Sequence, residues 1–189
     1  MTGHGKTASM PVLDTLELSL QVCLSRWDAD AARIADRQLP RFADATVLTV
    51  ADRAESGREF LLTPATATAW QQMKNAAAKD QVELLMVSAF RSFNRQAELI
   101  ETKLAAGQDV DQILTLLAPP GCSEHHSGRA VDIGCPQARP LDENFEHTTA
   151  FAWLQTHAPD HGFVLSYPRG NRYGYIYEPW HWCYQGAAA

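Results

Sequence analysis

Apolar residues recur along this chain with two periods, and each period predicts a different kind of element. Over residues 12–26, Leu13, Leu16, Leu20 and Leu24 keep the spacing of one helical face. Residues 28–38 continue as a second helix, with Asp28 placed as its N-cap, and Pro40 ends it. The pattern then shortens. Residues 46–50 (Thr-Val-Leu-Thr-Val) read as a strand, 52–57 as a turn and 60–62 as a second strand. Thr63-Pro64 opens a helix over 64–79, with Ala69, Trp70, Met73 and Ala77 on its inner face. The nearly continuous apolar run 82–87 predicts a strand buried at the centre of a sheet.

Helices follow over 94–106, with Gly107 as its stop, and over 109–117, ended by Pro119-Pro120-Gly121. Residues 129–133 alternate, with Val131 and Ile133 on one face and Ala130 and Asp132 on the other. A helix over 143–157 precedes short strands at 163–165 and 175–177. A last strand over 180–184 puts His181 and Cys183 on one face. Helices scattered among short late strands predict an α+β fold with a small antiparallel sheet, not a doubly wound parallel one. The division expected is a helical extension, residues 1–45, packed on a core of residues 46–189.

Composition narrows the function. A chain of 189 residues with 46% apolar and 20% charged residues is an ordinary globular protein with a sizeable core. A net charge of -6 argues against a nucleic-acid surface. No apolar run reaches membrane-spanning length. The first residues lack the apolar stretch of a secretory signal. A cytoplasmic location is therefore expected, with Met1 or Met10 as the start, or a periplasmic one if an export signal has been removed. Cys23, Cys122, Cys135 and Cys183 lack paired spacing and read as reduced, buried thiols. A Cys135–Cys183 bridge is the alternative.

The chemistry gathers in two stretches. Residues 121–134 hold Ser123, His125 and Asp132 in the pattern Ser-x-His-x-x-Gly-x-Ala-x-Asp, and Glu178-Pro179-Trp180-His181-Trp182 answers near the C-terminus. Together they offer two imidazoles, one carboxylate and a spare carboxylate. Three protein donors with an open fourth position suit catalytic zinc, and the spare carboxylate suits a general base. Arg91 and Gln96 follow the strand at 82–87, a common place for functional groups. Each has a plainer reading: Arg91 in a structural ion pair, Gln96 on a helix surface, Ser123 holding its own loop. A structural zinc module on Cys122, His125, Cys135 and Cys183 is a rival, but it leaves Asp132 and Glu178 without a task.

Ser-Ala-Phe-Arg (88–91), Gly-Cys-Ser-Glu-His-His-Ser-Gly-Arg-Ala-Val-Asp-Ile (121–133), Gly-Phe (162–163), Tyr-Pro (167–168) and Glu-Pro-Trp-His-Trp (178–182) occur in that order. The set resembles the VanY-like zinc D-alanyl-D-alanine carboxypeptidases, of the group that includes lysostaphin-type peptidases and the hedgehog domain. It covers about residues 60–186. The resemblance implies Zn2+ held by His125, Asp132 and His181, with Glu178 as catalytic base. It implies that Arg91 steadies the substrate's carbonyl oxygen or terminal carboxylate, and that Ser123 and Gln96 line the cleft. Cys183 departs from it, standing where members often carry a basic residue. The substrates implied are peptidoglycan stem peptides or muropeptides that lose a C-terminal D-alanine. A cytoplasmic enzyme would meet recycled tetrapeptides, so the expectation leans to L,D-carboxypeptidase action. Alternatives are D,D-carboxypeptidase action on pentapeptides, a peptidoglycan endopeptidase and a silent zinc-containing binding module.

Overall fold

The computed structural model describes residues 12–186, apart from the side chain of Leu13, and the two candidate starts at Met1 and Met10 lie outside them. Helix α1 (Val12–Arg26) buries Leu20 and Leu24 and leaves Leu18 and Val22 exposed. Helix α2 (Ala31–Asp36) is capped by Asp30, whose carboxylate accepts the Arg33 N–H at 3.1 Å. Asp28, expected as the cap, instead takes φ 54 and turns the chain between the helices, a conformation that Asp tolerates better than most residues.

The first strand lies further along than its β-branched run suggests. β1 spans Thr49–Arg53 and pairs antiparallel with β2 (Glu59–Leu62). Asp52 continues the strand because it has partners there: it accepts from Trp70 Nε1 at 3.0 Å and Lys74 Nζ at 2.6 Å on α3 (Pro64–Lys79). Val47, inside the expected strand, is exposed.

The second sheet has the order β3-β4-β6-β5, antiparallel throughout, from β3 (Leu85–Ser88), β4 (Ala130–Gly134), β5 (Phe163–Leu165) and β6 (His181–Tyr184). β3 is therefore an edge strand, not a central one. An apolar run reports what covers a strand's faces, not its place in the order. Here Met86 is buried, Leu85 is exposed, and Arg58 donates to the outward Val87 carbonyl at 2.7 Å. The ladder is irregular between Met86 and Ser88. Gly134 is needed beside it, since a Cβ there would meet Val87 Cγ2 at 2.9 Å.

The expected helix over 143–157 is broken. A 3₁₀ turn, Glu143–His147, is followed by α6 (Thr149–His157), with Thr148 extended between them. The Thr148 hydroxyl donates to the Phe145 carbonyl at 2.7 Å and accepts the Phe151 N–H, capping the new helix. Residues 175–177 are not a strand, because the Ile176 N–H is taken by the Thr115 carbonyl at 3.1 Å. Trp180 precedes β6, in a turn closed by the His181 N–H on the Glu178 carbonyl at 3.1 Å.

Two cores result. One packs α3 and α6 on the four-stranded sheet through Trp70, Met73, Val131, Ile133, Leu154 and Trp182. The other joins α1 and α2 to α4 (Phe93–Ala105) and α5 (Val110–Leu116) through Leu24, Trp27, Ile100 and Ile113, and it includes Tyr167 and Tyr175. Full burial of one such aliphatic side chain contributes about 1.5–3 kcal/mol. The N-terminal part also reaches toward the middle of the chain by backbone bonds, Phe42 N–H to the Gly121 carbonyl at 2.8 Å and Ala45 N–H to the His126 carbonyl at 2.7 Å. No described helix is long and apolar enough to cross a membrane.

Candidate metal and catalytic site

Three donors meet where the two central strands face each other. Asp132 on β4 is paired in register with His181 on β6. His125 comes from a 3₁₀ turn, Glu124–Ser127, just before β4. That turn is started by Ser123, whose hydroxyl accepts the His125 N–H at 3.4 Å, and is closed by Gly128 at φ 65. A side chain at 128 would meet Leu48 at 2.9 Å, so the return onto β4 requires glycine.

The donors converge. His125 Nε2 lies 3.3 Å from Asp132 Oδ2, and His181 Nδ1 lies 3.0 Å from Asp132 Oδ1. One donor atom from each lies within 4.8 Å of the others, and all three residues are buried. A tetrahedral zinc site with bonds of about 2.0–2.1 Å spaces its donors about 3.3 Å apart. The residues therefore fit that ion. They form the one such group among the described residues. The cysteines do not join it: all four are buried free thiols, so the expected alternative of a Cys135–Cys183 bridge is not formed.

Each imidazole is oriented from behind. His125 Nδ1–H donates to the Ala89 carbonyl at 2.7 Å, which leaves Nε2 facing Asp132. His181 Nε2–H donates to Glu124 Oε2 at 2.9 Å, which leaves Nδ1 inward. Tyr167 stacks on the His181 ring, 4.7 Å between centroids. Burial alone would lower the His181 pKa, but hydrogen bonds to Asp132 and Glu124 override it and push it up to about 10. Burial likewise acts to raise Asp132, and the two imidazoles outweigh it, holding that carboxyl far below the usual range.

The sequence pattern assigns no role to Glu124 or His126. Glu124 occupies the variable position between Ser123 and His125, and its role emerges once the turn aims it at His181. The available signal is an acidic residue adjoining a candidate ligand histidine. His126 points away from the donors. Its Nδ1–H donates to the Arg91 carbonyl at 2.6 Å and its Nε2 accepts the Gly121 N–H at 3.0 Å, so it is a neutral brace. Burial lowers its pKa accordingly.

A cleft of about 270 Å³ opens over the donors and is lined by Arg91, Ser123, Glu178 and Trp180 among others. Glu178 Oε2 lies 3.9 Å from His181 Nδ1, and burial pushes the Glu178 pKa up to about 7. Arg91 is half-buried yet has no ion-pair partner among the described residues, and its buried Nε finds no acceptor among them. A structural ion pair is thus not its task. Gln96 is fully buried, not on a helix surface, and is absent from the cleft lining. Its Nε2 donates to the carbonyl of Ala118, which does line the cleft, at 2.6 Å. Gln96 thus stands one layer behind the wall.

The comparison that decides the family covers most of the fold just described. The model of the VanY D-alanyl-D-alanine carboxypeptidases matches residues 59–187. This chain belongs to the VanY family. Among VanY relatives it is 35% identical over 126 residues to YodJ of Bacillus subtilis (strain 168), covering 65% of this chain and 46% of YodJ, so it spans about half of that protein's length. It is 29% identical over 136 residues to the bifunctional D-Ala-D-Ala dipeptidase and carboxypeptidase VanXYC of Enterococcus gallinarum, covering 69% of this chain and 70% of that protein. The LdcB LD-carboxypeptidase structure superposes with a TM-score of 0.69 at 31% identity, over 78% of this chain and 72% of that one. VanYB in complex with D-alanine-D-alanine gives a TM-score of 0.60 at 28% identity, over 79% and 83%. The VanY match leaves out α1, α2 and β1.

Proposed function

We propose that this chain is a zinc carboxypeptidase that removes the C-terminal D-alanine from peptidoglycan stem peptides. The observation that carries the reading is Arg91: a half-buried guanidinium, without an ion-pair partner among the described residues, in the same cleft as a His-Asp-His donor set and a spare carboxylate. Bound zinc would supply Lewis-acid polarisation of the scissile carbonyl and a water of lowered pKa. His125 Nε2, Asp132 and His181 Nδ1 would hold the ion.

The remaining tasks belong to the chain. Glu178 takes the proton of the attacking water at its carboxylate and delivers it to the leaving amine, and the proton affinity that burial gives it suits both transfers. Arg91 meets the terminal carboxylate or the developing oxyanion with its planar fork of donors. Ser123 keeps the His125 turn in place, and Gln96 supports the wall at Ala118.

Within this reading we place the preferred cut at the L,D bond of tetrapeptides. The likeness to LdcB supports it, while VanXYC and VanYB support the D,D alternative on pentapeptides. Measuring kcat/KM on matched tetrapeptide and pentapeptide muropeptides tests both levels. Preference for the tetrapeptide is expected. Preference for the pentapeptide overturns the L,D assignment alone, and release of D-alanine from neither overturns the carboxypeptidase reading.

A further inference from the structure

The cleft carries a second cation that the chemistry above does not use. Lys103 lies in the last turn of α4, half-buried, and lines the same cavity as Arg91 and Glu178. It has no carboxylate partner among the described residues. Eleven residues of mostly helical chain separate it from Arg91, so the two cations mark different parts of the cavity. Leu117, Ala118 and Ile176 are also in the lining, so the second cation shares the cavity with an aliphatic wall.

A neighbouring groove of about 460 Å³ shares Arg91 and Leu141 with the cleft and holds Arg58 and Arg95. Those cations are already engaged. Arg95 pairs with Glu98 at 2.8 Å, and Arg58 donates to the Val87 carbonyl at 2.7 Å. Apart from Arg91, Lys103 is the cleft cation without a carboxylate partner among the described residues.

An aliphatic wall with a free ammonium suits a long, methylene-rich side chain that ends in a carboxylate. We propose that Lys103 is a specificity-determining residue that reads the side-chain carboxylate of the residue preceding the cut. The cleft then favours a diaminopimelate side chain, whose terminal carbon bears a carboxylate beside its ammonium, disfavours lysine, which ends in an ammonium alone, and gains little from a methyl group. This deepens the carboxypeptidase reading and rests on it for the position of the substrate.

The experiment measures binding as well as turnover, so that the two can fail separately. Tetrapeptides carrying meso-diaminopimelate, its side-chain amide or L-lysine before the terminal D-alanine are titrated calorimetrically into the zinc-loaded Glu178→Gln protein. The titration is repeated with Lys103→Gln and Lys103→Glu added, and kcat/KM is measured with Glu178 intact. The free carboxylate is expected to bind about tenfold more tightly than the amide, in line with one charge-assisted hydrogen bond. Lys103→Gln is expected to erase that difference, and Lys103→Glu to turn the preference to lysine. Equal affinity for carboxylate and amide, a parallel change for all three peptides, or no binding of any of them overturns the proposal. Lys103-dependent binding without D-alanine release overturns the carboxypeptidase reading and leaves the Lys103 assignment in force. A role of Lys103 only at the helix terminus would lower Tm and leave selectivity unchanged, which also overturns it.

Discussion

Glu124 Oε2 lies 2.9 Å from His181 Nε2, on the side of the ring away from Asp132. A carboxylate behind a ligand imidazole fixes its tautomer and raises its basicity. Replacing Glu124 by Gln keeps a hydrogen-bonding group of the same size but removes the charge. Zinc affinity, measured by competition with a chelator, should fall about 10–100-fold while the far-ultraviolet dichroism stays unchanged. Unchanged affinity would reduce Glu124 to a packing residue.

The same pair governs how the metal-free site responds to pH. In that state both His181 nitrogens face carboxylates, and its pKa is raised to about 10. The ring is therefore protonated at neutral pH and must lose that proton before Nδ1 can hold a metal. Zinc binding at pH 7 should release about one proton from this residue, and affinity should rise with pH until it passes the raised pKa. Calorimetry in buffers of different ionisation enthalpy reads the proton directly. Uptake of a proton, or none exchanged, would contradict the assignment.

Glu178→Gln tests the base. The substitution should retain one zinc per chain and reduce turnover by about 10²–10⁴-fold. Near-normal release of D-alanine by a metal-loaded preparation would remove Glu178 from the mechanism.

Away from the site, Asp52 accepts from Trp70, Lys74 and its own neighbour's N–H. Burial acts to raise its pKa, and the hydrogen bonds led by Lys74 outweigh it, so the folded value lies below the ordinary one. A depressed carboxyl stabilises the fold above its unfolded pKa, and that contribution is lost as pH falls through the folded value. Asp52→Asn should lower stability at pH 7 by about 1–2 kcal/mol and lose this penalty in acid. Urea unfolding at several pH values checks it. A penalty constant down to pH 2 would mean that charge plays no part.

The candidate site was more legible than the sheet that carries it. His125, Asp132, His181 and Glu178 announce themselves because metal chemistry accepts few residue types, and their spacing survives whatever fold surrounds them. The order of strands does not. Val82 to Val87 looks central by composition, yet β3 is an edge, since hydrogen-bond neighbours in a sheet are chosen by distant segments. Asp52 reads as a turn residue until Trp70 and Lys74 are brought to it. Thr148 reads as helix interior, although its hydroxyl starts a new one. Gln96 reads as surface because nothing local reveals that the Ala118 carbonyl awaits it. In each case the deciding partner is remote in sequence.

The pairing of Asp132 opposite His181 has a consequence for assembly of the protein itself. Side chains alternate across a strand, so a slip of one residue between β4 and β6 would turn either Asp132 or His181 to the opposite face. No misaligned ladder can then present all three donors. A tightly bound ion rewards the correct register and no other, by an amount set by its affinity and concentration. Metal binding should thus select among alignments: the ion stabilises only chains whose two central strands meet in the register that sets Asp132 opposite His181.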